Sequence, residues 1–380
     1  MHKSVVIAGY ARSPFHFAHK GGLVRVRPDD LAAAVIEGLI ERTAVEPNDL
    51  EDLILGCAFP EGEQGLNMAR LVGQLIGLPA TVAGATVNRF CGSSMQAIHM
   101  AAGAIQMDAG EAFVCAGVES MTRIPMGGFN PLPNPALIER YPAAYVGMGT
   151  TAENVAERYQ ITREAQEAFA VDSQRKAAAA RSEGRLRDEI VPIRANGHLV
   201  EEDGCIRPET SRDGLAGLKP AFDQRGTVTA GTSSPLTDGA AATLVCSEDY
   251  ASKHGLEPLA RIRSVAVAGC AAEVMGIGPV AASRKALDRA GLAIEDIDVV
   301  ELNEAFAAQA IACVQELGIG MDTLNRDGGA IALGHPLGAS GARITGKAAA
   351  VMQRDGGRYA LATQCIGGGQ GIATVLEALP

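Results

Sequence analysis

The strongest constraint on what this chain can fold into is its similarity to itself at one long interval. In the first half, Asp49-Leu50-Glu51-Asp52-Leu53-Ile54-Leu55-Gly56 is followed by an apolar run from Ala112 to Gly117 that starts behind Gly110. In the second half, a helical stretch around Ser283 to Ala290 leads into Asp296-Ile297-Asp298-Val299-Val300, and Tyr359 to Thr363 follows behind Gly357. Asp49 and Asp296 lie 247 positions apart, and so do Gly110 and Gly357. A solenoid repeats every ~20 to 50 residues, so a single long interval points to a duplicated domain. The alternation of helical stretches with short apolar runs makes each copy α/β.

The halves are expected at residues 1–118, completed by about 223–255, and at 256–380. The first opens with a strand from Ser4 to Gly9 and a helix from Asp29 to Arg42, with the Asp29 carboxylate placed to cap it. Between the halves, 119–222 has another texture: a Pro-rich stretch from Met126 to Pro142, a helix from Thr151 to Gln160, and a second helix from Arg163 to Gly184 with Thr162 as its cap. This reads as an inserted subdomain. Arg175, Lys176, Arg181, Arg185 and Arg187 on and beyond the second helix form either a solvated face or a landing surface for a phosphate-bearing ligand.

With 47% hydrophobic residues in 380, the chain has ample capacity for a buried core. The net charge of −11 argues against a dedicated nucleic-acid binder. The eight cysteines contain no C-x-x-C pair and no zinc-type spacing, so no metal site is expected. The apolar run near the start, Val5 to Ala8, is too short for a secretory signal, and no stretch is long enough to span a membrane. A cytoplasmic location with free thiols is the expectation.

Among those thiols Cys91 stands out, in Asn88-Arg89-Phe90-Cys91-Gly92-Ser93-Ser94-Met95-Gln96-Ala97, where turn residues give way to a helical run ending near Met107. Exposed N–H groups and the helix dipole at such an entrance favour a thiolate. The 247-residue offset carries Asn88 onto His335, inside a glycine-rich stretch from Gly328 to Gly341, so equivalent loops of two pseudo-symmetric halves can bring Cys91 and His335 together. Cysteine beside histidine is the minimum for covalent acyl chemistry. Asn303, in Glu301-Leu302-Asn303-Glu304-Ala305-Phe306, and Cys365, ahead of Gly367-Gly368-Gly369, add an amide and a second thiol. No Gly-Lys-Ser/Thr follows the glycines, so their N–H groups suit an oxyanion better than a nucleotide phosphate.

Taken in order, Asn88 to Ala97, Met148 to Asn154, Thr227 to Ser234, Asn303 to Phe306, Gly328 to Arg343 and Cys365 to Gly371 resemble the motifs of the thiolase family along essentially the whole chain. The resemblance implies a thiolase-like α/β fold of two duplicated halves with mixed sheets and an inserted loop subdomain. It implies that Cys91 carries the acyl group, His335 activates it, Cys365 is the second acid/base, and Asn303 positions a water that, with His335, stabilises an enolate-type oxyanion. The N–H groups of Cys91 and Gly367 form the other oxyanion hole, and Arg207, Ser234, Met148, Phe222 and Phe306 map onto the coenzyme A site. Coenzyme A enters as co-substrate, with no permanently bound cofactor. The implied partners are acyl-CoA, further copies in a homodimer or homotetramer, and in some members a hydratase/dehydrogenase subunit.

Cys91 to Met95, Arg207 to Thr210 and Thr232 to Ser234 look like the degradative branch, which cleaves 3-ketoacyl-CoA in fatty-acid β-oxidation. Gly149 to Asn154 and Ile366 to Gly369 look like the biosynthetic branch, which condenses two acetyl-CoA. Cys365 in the second acid/base place separates the chain from decarboxylating ketosynthases, which use histidine or asparagine there. With all four reactive groups present, a non-catalytic acyl-CoA or lipid-binding role is the remaining alternative.

Overall fold

The structure is a computed structural model that describes residues 3–379. The first half is built from β1 (Val5–Arg12), α1 (Pro28–Thr43), β2 (Leu50–Gly56), α2 (Met68–Leu75), β3 (Ala83–Val87), α3 (Ser93–Gln106) and β4 (Ala112–Ser120). An inserted segment containing α4 (Met148–Arg158) and α5 (Arg163–Ser182) follows, and β5 (Thr237–Ser247) closes the half. The second half repeats the plan with β6 (Ala260–Gly269), α6 (Gly278–Ala290), β7 (Val299–Leu302), α7 (Ala307–Leu317), α8 (Leu337–Asp355), β8 (Tyr359–Ile366) and β9 (Gln370–Glu377).

Strand pairing repeats as well. In the first half β3, β2 and β4 run parallel and β5 and β1 continue antiparallel; in the second β7 and β8 are parallel and β9 and β6 continue antiparallel. The strand order is β7-β8-β9-β6-β1-β5-β4-β2-β3. Within the sheet, the described residues of the two halves pair where β1 meets β6, at Val6↔Arg261 and Ile7↔Ala260. The 247-residue offset carries the first residue of β4, Ala112, onto the first of β8, Tyr359. The counterpart of β3 is reduced to a single bridge between Val300 and Leu324.

Most of the strands, β1, β4, β5, β7, β8 and β9 among them, bury both faces, which is why they read as nearly unbroken apolar runs. Leu53 and Leu55 of β2 face α1 and α2, packing with Leu31, Ile36, Leu39, Met68 and Val72, while the intervening Ile54 packs with Ala97, Ile98 and Ala101 of α3. In the second half Val300, Leu302 and Leu361 meet α6 and α7, and Val299, Ala360 and Ala362 meet Ile344, Ala348 and Met352 of α8. Both α3 and α8 are thus central helices, and α8 packs on strands of both halves. It carries two buried cations: Arg343 pairs with Glu301 at 2.8 Å, and Lys347 pairs with Glu189 at 2.9 Å and Asp327 at 2.8 Å. Glu189 also meets Arg12, which in turn grips Asp203.

Several local expectations shift. Helix α1 starts at Pro28 after Arg27, so Asp29 is no cap; it stands in the first turn, where its charge complements the dipole, and pairs with Arg27 at 2.7 Å. Thr162 does cap α5, accepting from Ala165 N–H. Helix α4 begins three residues before Thr151. Strand β4 continues to Ser120 and β5 begins at Thr237, so the segment between them is 121–236, starting slightly later and ending well beyond the 119–222 that its composition marks out. Among the described residues no helix is long and apolar enough to cross a membrane.

Glycine lets the central helices approach other backbone directly. A Cβ on Gly338 would collide with the Val118 carbonyl and lie 2.7 Å from Gly56 O; one on Gly341 would strike the Met95 backbone. Gly338→Ala is therefore expected to lower stability by about 3 kcal/mol. Gly103→Ala, on a face of α3 where a Cβ meets nothing within 4 Å, is expected to raise it by about 0.5–1 kcal/mol. Denaturant midpoints of the two variants against the unmodified protein check both signs.

Candidate active site

The C-terminal ends of the parallel strands point to one region, and the groups singled out in the sequence follow those ends. Cys91 comes after β3, Asn303 after β7, and Cys365 lies at the end of β8 with Gly367 directly after it. Cys91 sits in a helical turn, Phe90–Gly92, that runs into α3. The turn is tight: Phe90 has φ +44°, a costly conformation for a bulky residue. It is held by Phe90 N–H donating to Asn88 Oδ1 at 2.9 Å and by Ser93 Oγ, which accepts from Arg89 N–H and donates to Phe90 O. The Asn88 amide donates to Ala58 O at 3.0 Å, and Gln364 Nε2 donates to the Cys91 carbonyl.

The expected thiolate is not what this environment favours. Cys91 is 9% exposed, and burial pushes its pKa up to about 11 against the opposing N–H groups of Gly367 and Cys91 itself. Desolvation outweighs the helix entrance, so the resting group is a thiol. Cys365 is fully buried, and burial together with nearby Cys91 holds its thiol well above the ordinary range.

His335 lies on the tight turn between Gly334, with φ +105°, and the start of α8. Its backbone N–H donates to Thr237 Oγ1 at 3.0 Å, Nδ1 lies 2.5 Å from Ser340 Oγ, and Nε2 lies 3.3 Å from Asn303 Nδ2. Burial, with Arg343 nearby, drives its pKa down to about 3, so the imidazole is neutral. Leu337, two residues on, shares a buried cluster with Cys91, Ala58 and Met121, which sets the two loops side by side. Asn303 N–H donates to Thr363 O at 3.0 Å, fixing it beside β8.

An apolar wall adjoins the second cysteine. Met148, Phe306 and Cys365 belong to one cluster, a Cβ on Gly367 would lie 3.5 Å from Met148 Sδ, and Phe222 meets Phe306 edge to face at 5.8 Å. Ser234 is pinned by its N–H and hydroxyl, both donating to Ala305 O. Arg207 has different neighbours: its N–H donates to Gln174 Oε1 and its guanidinium lies over Phe17, with Nε buried and unpartnered among the described residues. The basic run of the inserted segment is largely spoken for. Arg175 and Lys176 pair with Asp172, and Arg185 pairs with Glu183 and Asp327, which removes most of a phosphate-landing surface.

Sequence reasoning missed the group that locks the loops together. The buried Glu119 carboxylate accepts from Ala58 N–H at 2.8 Å, Gln64 Nε2 at 2.8 Å and Gly338 N–H at 2.9 Å, joining the end of β2 to the start of α8. Its one visible signal was a carboxylate ending the apolar run of β4. Glu304 is held likewise by Ser173, Asn325 and Ile331 N–H.

Comparison with known proteins agrees with this arrangement. The family described as "Thiolase, N-terminal domain" matches residues 5–249, and "Thiolase, C-terminal domain" matches 256–378. The 3-ketoacyl-CoA thiolase of Bacillus subtilis (strain 168) is 47% identical over 390 residues, covering 99% of this chain and all of that protein. The 3-ketoacyl-CoA thiolase of Marinobacter nauticus is 50% identical over 386 residues, covering 99% and 98%. The crystal structure of human mitochondrial 3-ketoacyl-CoA thiolase in complex with CoA superposes with a TM-score of 0.92 at 37% identity, covering 99% of this chain and 98% of that one. With both domains matched in order and relatives aligned end to end, the chain belongs to the thiolase family.

Proposed function

We propose that this chain is a 3-ketoacyl-CoA thiolase, cleaving 3-ketoacyl-CoA with coenzyme A to acetyl-CoA and an acyl-CoA shortened by two carbons. The observation that carries the reading is the convergence of buried Cys91, His335, Asn303 and Cys365 on one site, with Asn303 Nδ2 3.3 Å from His335 Nε2 and Leu337, two residues past His335, packed with Cys91. Full-length identity to proteins named for this activity supports it.

In this reading His335 Nε2 takes the Cys91 proton as the sulfur attacks the 3-keto carbon. The N–H groups of Cys91 and Gly367 receive the developing oxyanion, a role often worth several kcal/mol. The bond between C2 and C3 breaks, and the electrons pass into the acetyl-CoA enolate, whose oxygen faces His335 and a water held by Asn303. The protonated Cys365 delivers its proton to the enolate carbon. Its thiolate then takes the proton of the incoming coenzyme A thiol, whose sulfur attacks the acyl-Cys91 thioester and expels Cys91 as a thiolate, which takes back the proton held on His335. Two thiols of high pKa suit two proton deliveries, since neither ionises prematurely.

Met148, Phe222 and Phe306 form an apolar wall suited to the pantetheine arm, and Ser234 closes it. Arg207, with a buried guanidinium nitrogen left without a protein partner among the described residues, suits an anionic group of the ligand. The reaction is placed in the cytoplasm. The assembly is read as a homodimer or homotetramer: β3 lies at the sheet edge, with Leu66, Leu71, Leu75, Met100 and Met107 exposed on α2, α3 and their flanking turns.

Incubation with acetoacetyl-CoA and longer 3-ketoacyl-CoA thioesters plus coenzyme A is expected to release acetyl-CoA; no release at any chain length sinks the reading. Cys91→Ala is expected to lower kcat by about 10⁴-fold or more, and Cys365→Ala by about 10²–10⁴-fold. With Cys91 at about 11, its alkylation by iodoacetamide, followed by peptide mapping, is expected to quicken about tenfold per pH unit from roughly pH 7 to 9. A plateau below about pH 8 would reveal a thiolate–imidazolium pair instead. Light scattering after size exclusion is expected to give a dimer or tetramer mass, and a monomer contradicts the assembly.

A further inference from the structure

A neutral imidazole has one protonated nitrogen, and His335 serves as a base only if the nitrogen facing the site is the bare one. Its two contacts decide which that is. Nδ1 lies 2.5 Å from Ser340 Oγ, and Ser340 Oγ lies 2.9 Å from the Pro336 carbonyl. Ser340 has a single hydroxyl hydrogen to share between these neighbours. Given to Pro336 O, it leaves the Ser340 oxygen free to accept from Nδ1–H, and both hydrogen bonds form. Given to Nδ1, it leaves the carbonyl with the Ala339 and Ser340 N–H groups alone, and one of the two hydroxyl bonds forms.

His335 and Ser340 are 4% and 2% exposed, so bulk water cannot make good the missing bond. Buried polar groups settle into the arrangement that satisfies more of them. On the far side of the ring, Asn303 Nδ2 stands 3.3 Å from Nε2 as a donor, which requires a bare Nε2. The two sides agree.

We propose that Ser340 is a positioning residue that holds His335 as the Nδ1–H tautomer, leaving the Nε2 lone pair as the proton acceptor of the site. The proposal rests on His335 being the base for Cys91. A hydroxyl accepts Nδ1–H without bringing a negative charge, so it orients the ring and leaves its basicity low. When Cys91 gives its proton to Nε2, the Nδ1–H bond to Ser340 persists, and the ring returns to the same tautomer once that proton leaves.

The tautomer is read directly from ¹⁵N spectra of protein labelled at histidine, with the His335 signals identified by their loss in His335→Asn. In the unmodified protein Nδ1 is expected to give the protonated, pyrrole-type shift and Nε2 the pyridine-type shift. Ser340→Ala is expected to move the ring toward the other tautomer and to lower kcat about 10- to 100-fold with KM changed less than about twofold. Ser340→Thr, which restores a hydroxyl, is expected to recover most of kcat. A pyridine-type Nδ1 in the unmodified protein overturns the proposal whether or not any variant folds, and so does a Ser340→Ala protein with unchanged kcat. If the shifts are as expected but no thiolysis occurs, the tautomer stands and the reading of His335 as base falls.

Discussion

Everything at the site depends on α3 and α8 meeting backbone to backbone. Gly341 faces the Met95 backbone with no side chain between, Ala342 N–H donates to Ser94 Oγ at 2.8 Å, and Gly338 lies against the carbonyls of Gly56 and Val118. Cys91 precedes one helix and His335 precedes the other. Their relative placement is therefore set by a helix contact in the centre of the molecule, where packing is dense and strain is transmitted rather than absorbed. Two catalytic loops on independent surface loops would lack that rigidity.

Such a contact demands that α8 be buried on all sides, and its polar residues show how that is tolerated. Arg343 and Lys347 leave water only because Glu301, Glu189 and Asp327 meet them, and Glu189 in turn meets Arg12 from β1. Burial still pulls Lys347 below its ordinary value and raises Glu301 to about 7. Buried ion pairs of this kind contribute little net stability, whereas losing one partner costs about 3–5 kcal/mol. Their effect here is to give α8 a single seating, with the inserted segment and the second half supplying its partners and Arg12 of the first half holding Glu189.

What was legible beforehand follows from what each inference needed. The duplication was visible because equivalent strands bury both faces and so repeat as apolar runs, and α3 was visible because small and apolar residues run unbroken from Ser93. The charge of Cys91 was misjudged because a helix entrance is a local feature while desolvation is not. The basic run on and beyond α5 left a phosphate-landing surface open as an alternative because Asp327, which takes Arg185, lies 142 positions further along. Glu119 escaped notice for a related reason: its partners, Ala58 and Gln64 in the β2–α2 connection and Gly338 in α8, come from segments that only the fold assembles. Asp29 was assigned to the wrong place by a shift of two positions, within which Pro28 opens the helix instead.

The two halves share one plan, yet the link between corresponding strands has two fates. From β4 to β5 the chain wanders through 121–236, whereas from β8 to β9 it turns within Gly367-Gly368-Gly369. Had the halves stayed alike, the molecule would offer two equal faces and no reason for a reaction to prefer one. Breaking the symmetry at this one connection sets Met148 and Phe222 of the inserted segment as an apolar wall beside the short Gly367 turn. The duplicate supplies the rigid frame, and the difference between its copies supplies direction.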